Sequence, residues 1–158
     1  MKKIFLITVT ILAAAAILLF AWRKTDCERA VQNPPPVYRL VEDPAVLDQL
    51  ISELPDNPIL VDLRDKSEFN AGRINNFLSI PWDDGGRRFK TWITPHRRSR
   101  PFIIICADGT RTAQAFRLMV SMGFTNITDF TPGFPVWRAS RGEDYRVEDG
   151  LCQAGCPD

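Results

Sequence analysis

Histidine is almost absent from the sequence, which holds a single one, His96, among 158 residues. Zinc takes about four ligands from cysteine, histidine and carboxylate side chains, so one histidine and four cysteines do not favour a zinc site. A strong excess of charge is also missing, because the formal net charge is +1 at pH 7. Nucleic-acid binding needs a marked positive field. We therefore expect no nucleic-acid partner, no metal and no other cofactor.

One local excess of positive charge runs from His96 to Arg100. We interpret it as a solvated loop. The alternative is a positive rim that attracts an anionic substrate.

A long apolar run stands near the start of the sequence. Ile4 to Trp22 contain no charged side chain, and two basic residues flank the run on each side. A helix that crosses a bilayer needs about 20 such residues, so we expect a membrane-spanning helix at 4–22 within an anchor at 1–24. A cleaved signal peptide is the alternative. Cleavage at the Ala-x-Ala site of Ala14 to Ala16 would leave an apolar start on the mature chain, which favours the anchor.

The orientation of this anchor is not decided by charge, since the basic residues on its two sides nearly balance. A short basic start before a long apolar run resembles a bacterial signal anchor. We therefore expect an exported globular domain on the periplasmic side, and the cytoplasmic side is the alternative.

Proline marks a linker after the anchor. The run Asn33-Pro34-Pro35-Pro36 favours an extended, stiff segment, which we place at 25–38. A globular domain is assigned to 39–147. A C-terminal tail at 148–158 carries Cys152 and Cys156.

Strands and helices alternate within the globular domain. Short apolar runs predict buried parallel strands at 58–63, 77–80, 102–105 and 127–130. Capping residues and apolar periodicity predict helices from Asp43, at 67–71, within 83–93, at 110–122 with Gly123 behind it, and at 135–140. On the helix at 110–122 we expect Ala113, Phe116, Leu118 and Val120 to face inward. The alternation predicts an α/β domain with a mainly parallel central sheet flanked by helices.

Cys106 directly follows the strand predicted at 102–105, and ligands of such sheets bind outside the carboxyl ends of the strands. The loop behind it reads Ala107-Asp108-Gly109-Thr110-Arg111. Loop amides at a helix N-terminus attract negative charge and stabilise a thiolate. Arg111 adds forked donors suited to an oxyanion. A lone cysteine is often a small apolar residue, but this combination predicts a nucleophile.

Three motifs resemble those of the rhodanese-like family of single-domain sulfurtransferases. The loop CADGTRT at 106–112 is similar to the family's Cys-x-x-Gly-x-Arg-Ser/Thr loop. The segment LVDLRDKSEF at 60–69, with AGRI at 71–74, and the segment DFTPGFPVW at 129–137 resemble its two flanking motifs. The motifs stand in the family's order. The sequence departs from the family at Arg73, where His is usual, at Asn75-Asn76-Phe77, where Pro-Gly-Ala is usual, and at Pro132, where glycine is usual.

The resemblance implies a rhodanese-like fold and sulfur transfer. Cys106 would take sulfur from thiosulfate or a similar small anionic donor, form a persulfide, and pass the sulfur to a thiol or cyanide acceptor. The substrate-binding residues would be Ala107, Asp108, Gly109, Thr110 and Arg111. Asp62 and Arg64, which follow a strand end, are candidate supporting residues, and a structural ion pair is their preferred interpretation.

Two other functions stay open. A phosphatase or arsenate reductase of this fold carries one more residue between the cysteine and the arginine, whereas here four residues intervene, which favours sulfur. A membrane-tethered binding module without activity is the other alternative. Cys152 and Cys156 are close enough in sequence for a small disulfide, and the alternatives are a loose tail or a pair of acceptor thiols.

Overall fold

The computed structural model describes Ala15, residues 36–53 and residues 58–141, with the backbone alone for Asp84. Within these residues, none of the helices combines the length and apolarity needed to cross a bilayer. The predicted anchor, apart from Ala15, lies outside the described residues. So do residues 25–35 of the predicted linker and the whole predicted tail with its two cysteines.

Five strands of the described chain form one sheet in which every pairing is parallel. They are β1 (Val37–Val41), β2 (Ile59–Asp62), β3 (Leu78–Ser79), β4 (Phe102–Ile105) and β5 (Asn126–Phe130), in the spatial order β1-β5-β4-β2-β3. The central strand, β4, consists of four buried apolar residues, because both faces of a parallel sheet are covered. The expected parallel α/β sheet is confirmed.

Within residues 36–53 and 58–141, five α-helices flank this sheet. They are α1 (Pro44–Glu53), α2 (Lys66–Asn70), α3 (Arg87–Ile93), α4 (Thr110–Ser121) and α5 (Gly133–Ala139), with a 3₁₀ turn at Asp84–Gly86 before α3. Asp43 caps α1, since its Oδ1 accepts a hydrogen bond from the Ala45 N–H at 2.8 Å. Gly123 follows the end of α4 with φ +85°. Both helix boundaries agree with the sequence prediction.

The helices divide between the two faces of the sheet. Phe89 of α3 and Met119 of α4 pack into one apolar cluster with Ile104. Phe69 of α2 and Trp137 of α5 pack into a second cluster on the other face. The helix that follows β2 and the helix that follows β4 therefore lie on opposite faces. Such a change of side opens a crevice at the carboxyl ends of the two strands.

The sequence did not predict β1. Its first two residues, Val37 and Tyr38, were assigned to the linker, and the strand begins there instead. β1 is an edge strand paired with β5 alone, and four of its five residues are not buried. A mostly exposed edge strand lacks the continuous apolar run that identifies a buried strand. The preceding prolines therefore decided the assignment of its first residues to the linker.

The buried face of α4 also differs from the prediction. Thr112, Ala115 and Met119 are the buried residues, whereas Val120, which was expected to face inward, is 37% exposed. Phe116 packs edge-on against Tyr38 of β1 at 5.4 Å between ring centres. Thr112 of this helix lies against the loop that precedes it. Because threonine is polar, the apolar periodicity did not predict that this position is buried.

Candidate active site

Cys106 lies at the carboxyl end of β4, and none of its surface is exposed. Its sulfur is held by the loop that follows, because the Gly109 N–H donates a hydrogen bond to Sγ at 3.1 Å. Two further polar atoms lie 3.9 Å from Sγ, Oδ1 of Asp108 and Oγ1 of Thr112. The structure thus brings Cys106 together with the loop residues predicted to surround it.

Two glycines allow the loop to lie against the turn between β5 and α5. Gly109 has φ +83°, and a Cβ there would collide with the backbone oxygen of Thr131. Gly133 has φ +80°, and a Cβ there would collide with the backbone of Ala107. The Phe134 N–H also donates to the carbonyl oxygen of Cys106 at 2.8 Å. The turn therefore fixes the backbone from the Cys106 carbonyl to Gly109.

Asp108 and Thr110 fasten the start of α4. Oδ1 of Asp108 accepts hydrogen bonds from the Thr110 hydroxyl at 2.6 Å and from the Thr110 N–H at 3.0 Å. These bonds hold the pKa of Asp108 below its ordinary value. Asp108 is exposed, and it places a carboxylate oxygen 3.9 Å from the sulfur.

Arg111 points towards α2 and meets two carboxylates. Its guanidinium lies 2.9 Å from Glu68 Oε2 and 3.3 Å from Asp65 Oδ2. Burial acts to raise the pKa of Glu68, but the hydrogen bonds from Arg111 and from the Asp65 N–H hold it below its ordinary value. The guanidinium N–H groups of Arg111 that were predicted to bind a substrate anion therefore already bind two carboxylates of the protein.

Sequence reasoning did not identify Asp65 and Glu68 as partners of Arg111. Their spacing is that of a capping box, with Glu68 three residues after the N-cap, and this signal placed them at the start of α2. Nothing in the pattern linked Glu68 and Asp65 to Arg111, which lies 43 and 46 positions further along the chain.

Asp62 and Arg64 form a buried ion pair at 2.7 Å, the interpretation preferred from sequence. Arg64 also donates to the carbonyl oxygens of Gly72 and Glu68 at 2.8 and 3.2 Å, and its guanidinium lies 3.7 Å from the ring centre of Phe134. Burial raises the pKa of Asp62, and the hydrogen bonds from Arg64 oppose that effect. The pair ties the end of β2 to α2 and α5.

Asp129 is a further candidate that the sequence did not indicate. It lies in β5 and is 2% exposed, and its Oδ1 has no hydrogen-bond partner in the part of the chain that the structure describes. Burial raises its pKa to about 6, and a hydrogen bond from Thr112 opposes this. The strand alternation carries a carboxylate into the core on the α4 side, where an apolar residue would be the ordinary choice.

The basic segment from His96 to Arg100 lies before β4, whereas Cys106 follows the other end of that strand. The basic segment therefore does not lie beside the nucleophile, and the alternative, a positive rim that attracts an anionic substrate, stays a prediction. Arg98 packs its guanidinium 4.3 Å from the ring centre of Phe124. The segment is a loop at the amino edge of the sheet, as preferred from the sequence.

The chain is similar to known proteins both in sequence and in structure. A family model described as "Rhodanese-like domain" matches residues 43–140. Thiosulfate sulfurtransferase GlpE of Pseudomonas savastanoi pv. phaseolicola is 27% identical over 82 residues, which cover 52% of this chain and 74% of that protein. The corresponding protein of Pseudomonas putida is 25% identical over 85 residues, or 54% and 74%.

Solved structures show the same likeness. The Alr3790 protein from Anabaena sp. superposes with a TM-score of 0.56 at 25% identity, over 68% of this chain and 81% of that one. A rhodanese-related protein from Thermoplasma volcanium superposes with a TM-score of 0.54 at 27% identity, over 70% and 98%.

Proposed function

The chain belongs to the rhodanese-like domain family, and from this we propose that it transfers a sulfane sulfur through a persulfide on Cys106. The observation that carries the proposal is the position of the cysteine. Its sulfur accepts the Gly109 N–H at 3.1 Å at the carboxyl end of the central strand, in the loop that leads into α4. Backbone N–H groups at such a turn stabilise the negative charge of a thiolate or a persulfide.

The proposed reaction has two displacement steps. The Cys106 thiolate attacks the outer sulfur of thiosulfate or a similar donor, the sulfur–sulfur bond of the donor breaks, and sulfite leaves with the electron pair. A thiol or cyanide acceptor then attacks the outer sulfur of the persulfide, and the Cys106 thiolate leaves. The two steps alternate, so ping-pong kinetics are expected.

The surroundings of the sulfur determine how a donor reaches it. Cys106 is fully buried, so the donor reaches Sγ only after loop side chains have moved. Asp108, whose Oδ1 lies 3.9 Å from Sγ, is exposed, and its carboxylate would have to release the Thr110 N–H and hydroxyl to turn outward. Ala107, Gly109 and Thr110 would then offer their N–H groups to the incoming anion.

The same burial favours a second candidate function, a binding module without sulfurtransferase activity. In that case Cys106 is a core residue, and its zero exposure needs no loop movement. The pairing of Arg111 with Asp65 and Glu68 then serves only to join α4 to α2.

We also infer a single-pass membrane anchor at 4–22, with the rhodanese-like domain on the periplasmic side. Its support is the uncharged apolar run of the sequence. Accessibility of the domain to an added protease in intact cells and in spheroplasts tests it. Digestion in spheroplasts alone is expected, and protection until the membrane is lysed would contradict the orientation.

Thiocyanate formation from thiosulfate and cyanide by the purified full chain tests the sulfurtransferase proposal. We expect turnover, and a gain of one sulfur atom on the Cys106 peptide after thiosulfate alone. Cys106→Ser should lose both. As the matched control, a variant with serine at Cys27, Cys152 and Cys156 should keep both. Absence of turnover and of sulfur gain with thiosulfate and with a thiol persulfide as donor would favour the binding module.

A further inference from the structure

The basic segment before β4 has no part in the reaction as proposed so far. It carries Arg97, Arg98 and Arg100, and residues 94–101 include no acidic side chain. The whole chain has a net charge of +1, so this excess of positive charge is local. Acidic residues instead follow the carboxyl ends of several strands, at Asp43, Asp65, Asp83 and Asp108. The amino edge of the sheet at β4 is therefore a basic surface, at the other end of the strand from Cys106.

Hydrogen bonds hold residues 97–100, which we name the basic turn. The Arg100 N–H donates to the Arg97 carbonyl oxygen at 3.1 Å and closes the turn. The guanidinium of Arg98 donates to two carbonyl oxygens of its own segment, at 3.1 and 3.2 Å, and lies 4.3 Å from the ring centre of Phe124. Arg98 is thus held against the domain, whereas Arg97 and Arg100 are exposed.

A cavity of about 280 Å³ lies beside the basic turn, and Arg97, Ser99, Arg100 and Pro101 line it. A water molecule takes about 30 Å³ of liquid volume, so the cavity has room for a phosphate group. Guanidinium groups offer paired N–H donors that match the oxygens of a phosphate. Arginines around an open cavity at the surface are thus suited to an anionic group that approaches from outside.

The basic turn is tied to the first strand of the domain. The Thr125 N–H donates to the Arg98 carbonyl oxygen at 2.9 Å, and the Val37 N–H donates to the Thr125 carbonyl oxygen. Val37 is the first residue of β1 and directly follows the proline run at 34–36. Two backbone hydrogen bonds therefore connect the basic turn to the strand that continues from the predicted linker.

Apolar side chains are exposed at the start of this strand. Val37 and Tyr38 are 37% and 43% exposed. The Tyr38 hydroxyl donates to the Phe124 carbonyl oxygen at 3.1 Å, and the ring of Phe124 contacts the Arg98 guanidinium. Aliphatic and tyrosine side chains beside arginines are typical of surfaces that lie on the headgroups of a bilayer. The basic turn and the start of β1 together have this composition.

We propose that the basic turn binds the phosphate groups of anionic phospholipids, with Val37 and Tyr38 at the same surface. The proposal goes beyond sulfur transfer and rests on the proposed membrane anchor. Residues 23–36 reach at most about 50 Å when fully extended, so the domain stays close to the bilayer. An anionic bilayer attracts arginines within a Debye length, about 8 Å at physiological ionic strength. With the turn on the headgroups, Cys106 at the other end of β4 faces away from the bilayer, towards soluble donors.

A nitroxide label on the full chain in lipid vesicles tests the proposal. The label is attached at Ser99→Cys, with serine at Cys27, Cys106, Cys152 and Cys156. Oxygen relaxes the label where it meets lipid, and a nickel chelate relaxes it where it meets water. We expect protection from the nickel chelate in vesicles that contain phosphatidylglycerol, and no protection in phosphatidylcholine alone. Salt at about 1 M should remove the protection, because the Debye length falls to about 3 Å.

Charge variants identify the residues that bind. Each arginine near an anionic surface contributes about fivefold to binding, so Arg97→Gln with Arg100→Gln should weaken the contact by roughly 25-fold. Arg97→Gln alone should weaken it about fivefold, which covers the case in which the double variant folds poorly. Arg87→Gln with Arg88→Gln is the matched control, since both are exposed arginines at the start of α3, after the carboxyl end of β3; the contact should persist. A label at Ser67→Cys on α2, at the carboxyl edge, should stay in water throughout.

Flotation of the vesicles separates the basic turn from the anchor. Flotation with both kinds of vesicle, together with protection by anionic lipid alone, supports both proposals. A label at Ser99→Cys that stays in water, or that meets both lipids equally, would overturn lipid binding by the turn and leave the anchor standing. Flotation with anionic vesicles only, reversed by salt, would support the turn and reject the anchor. Flotation with neither, or equal weakening by the two double variants, would overturn the proposal for the turn.

Discussion

Arg111 has one observed role at the level of the single residue and one proposed role. Its guanidinium contacts Asp65 and Glu68, and under the proposed function it would also attract an anionic donor to the loop behind Cys106. Asp108 adds a third carboxylate, whose Oδ1 lies 3.9 Å from the sulfur of Cys106. A dianion such as thiosulfate, the proposed donor, would therefore compete with Asp65 and Glu68 for Arg111.

Glu68→Gln is expected to strengthen thiosulfate binding. The change removes one of the two charges on Arg111, while glutamine still accepts the Asp65 N–H in a capping box. Glu68 and Arg111 are partly exposed, and pairs of this kind contribute little. The KM for thiosulfate should fall by about twofold to fivefold, with kcat nearly unchanged. Steady-state kinetics at fixed ionic strength measure this.

Glu53→Gln on α1 is the matched control, since it removes an exposed glutamate that bonds to Gln49 rather than to Arg111. Its KM should equal that of the wild type. A Glu68→Gln enzyme with an unchanged or higher KM would show that Arg111 does not bind the donor.

At the level of the elements, the active loop and the turn before α5 form one interlocked unit. The loop lies between β4 and α4 and the turn between β5 and α5, so the contact joins parts of the chain about 25 residues apart. Each segment contributes a glycine whose missing side chain leaves room for the other's backbone. The position of Cys106 therefore depends on the turn.

Gly133→Ala is expected to disturb the site more than an alanine at another glycine of similar φ. A residue with Cβ costs roughly 1–2 kcal/mol in the left-handed region, and the collision with Ala107 adds about 1–3 kcal/mol of overpacking. Gly123→Ala carries the first cost alone, because its Cβ would meet open space at φ +85°. Denaturant unfolding and sulfur loading of both variants measure the difference, and equal loss in the two would contradict the interlock.

The elements also show how far the sequence determines the structure. β4, α4 and the cap at Asp43 were predicted because each has a local signal: a buried apolar run, a helical period, a side chain that bonds a nearby N–H. β1 was not predicted, since an edge strand is recognised by its partner β5, which stands far along the chain. The pairing of Arg111 and the burial of Asp129 were missed for the same reason, because both depend on contacts between distant segments.

At the level of the whole domain, the parallel sheet brings Cys106, Thr112 and Asp129 into the layer between the sheet and α4. Apolar residues fill that layer, including Ile104, Ala115 and Met119, and their burial stabilises the domain. A carboxylate there opposes that stabilisation when it is ionised. Asp129 thus makes the stability of the fold depend on pH.

Asp129→Asn is expected to change how the stability of the domain depends on pH. The folded-state pKa of about 6 lies above the ordinary 3.8 of the carboxyl group, so the folded state binds the proton more tightly. The contribution of the Asp129 carboxyl group to the free energy of unfolding is then fully present below about pH 4, and it is lost as the pH rises through about 6. As the pH rises from about 4 to about 6, the free energy of unfolding of the asparagine variant should therefore rise by roughly 2 kcal/mol relative to that of the wild type.

Denaturant unfolding from about pH 4 to pH 7 measures this gain. Asp108→Asn is the control, because the pKa of Asp108 is lowered and not raised; its titration lies below this window, so its difference from the wild type should stay constant across it. A parallel course for wild type and Asp129→Asn would mean that the carboxyl group reaches water in the folded protein.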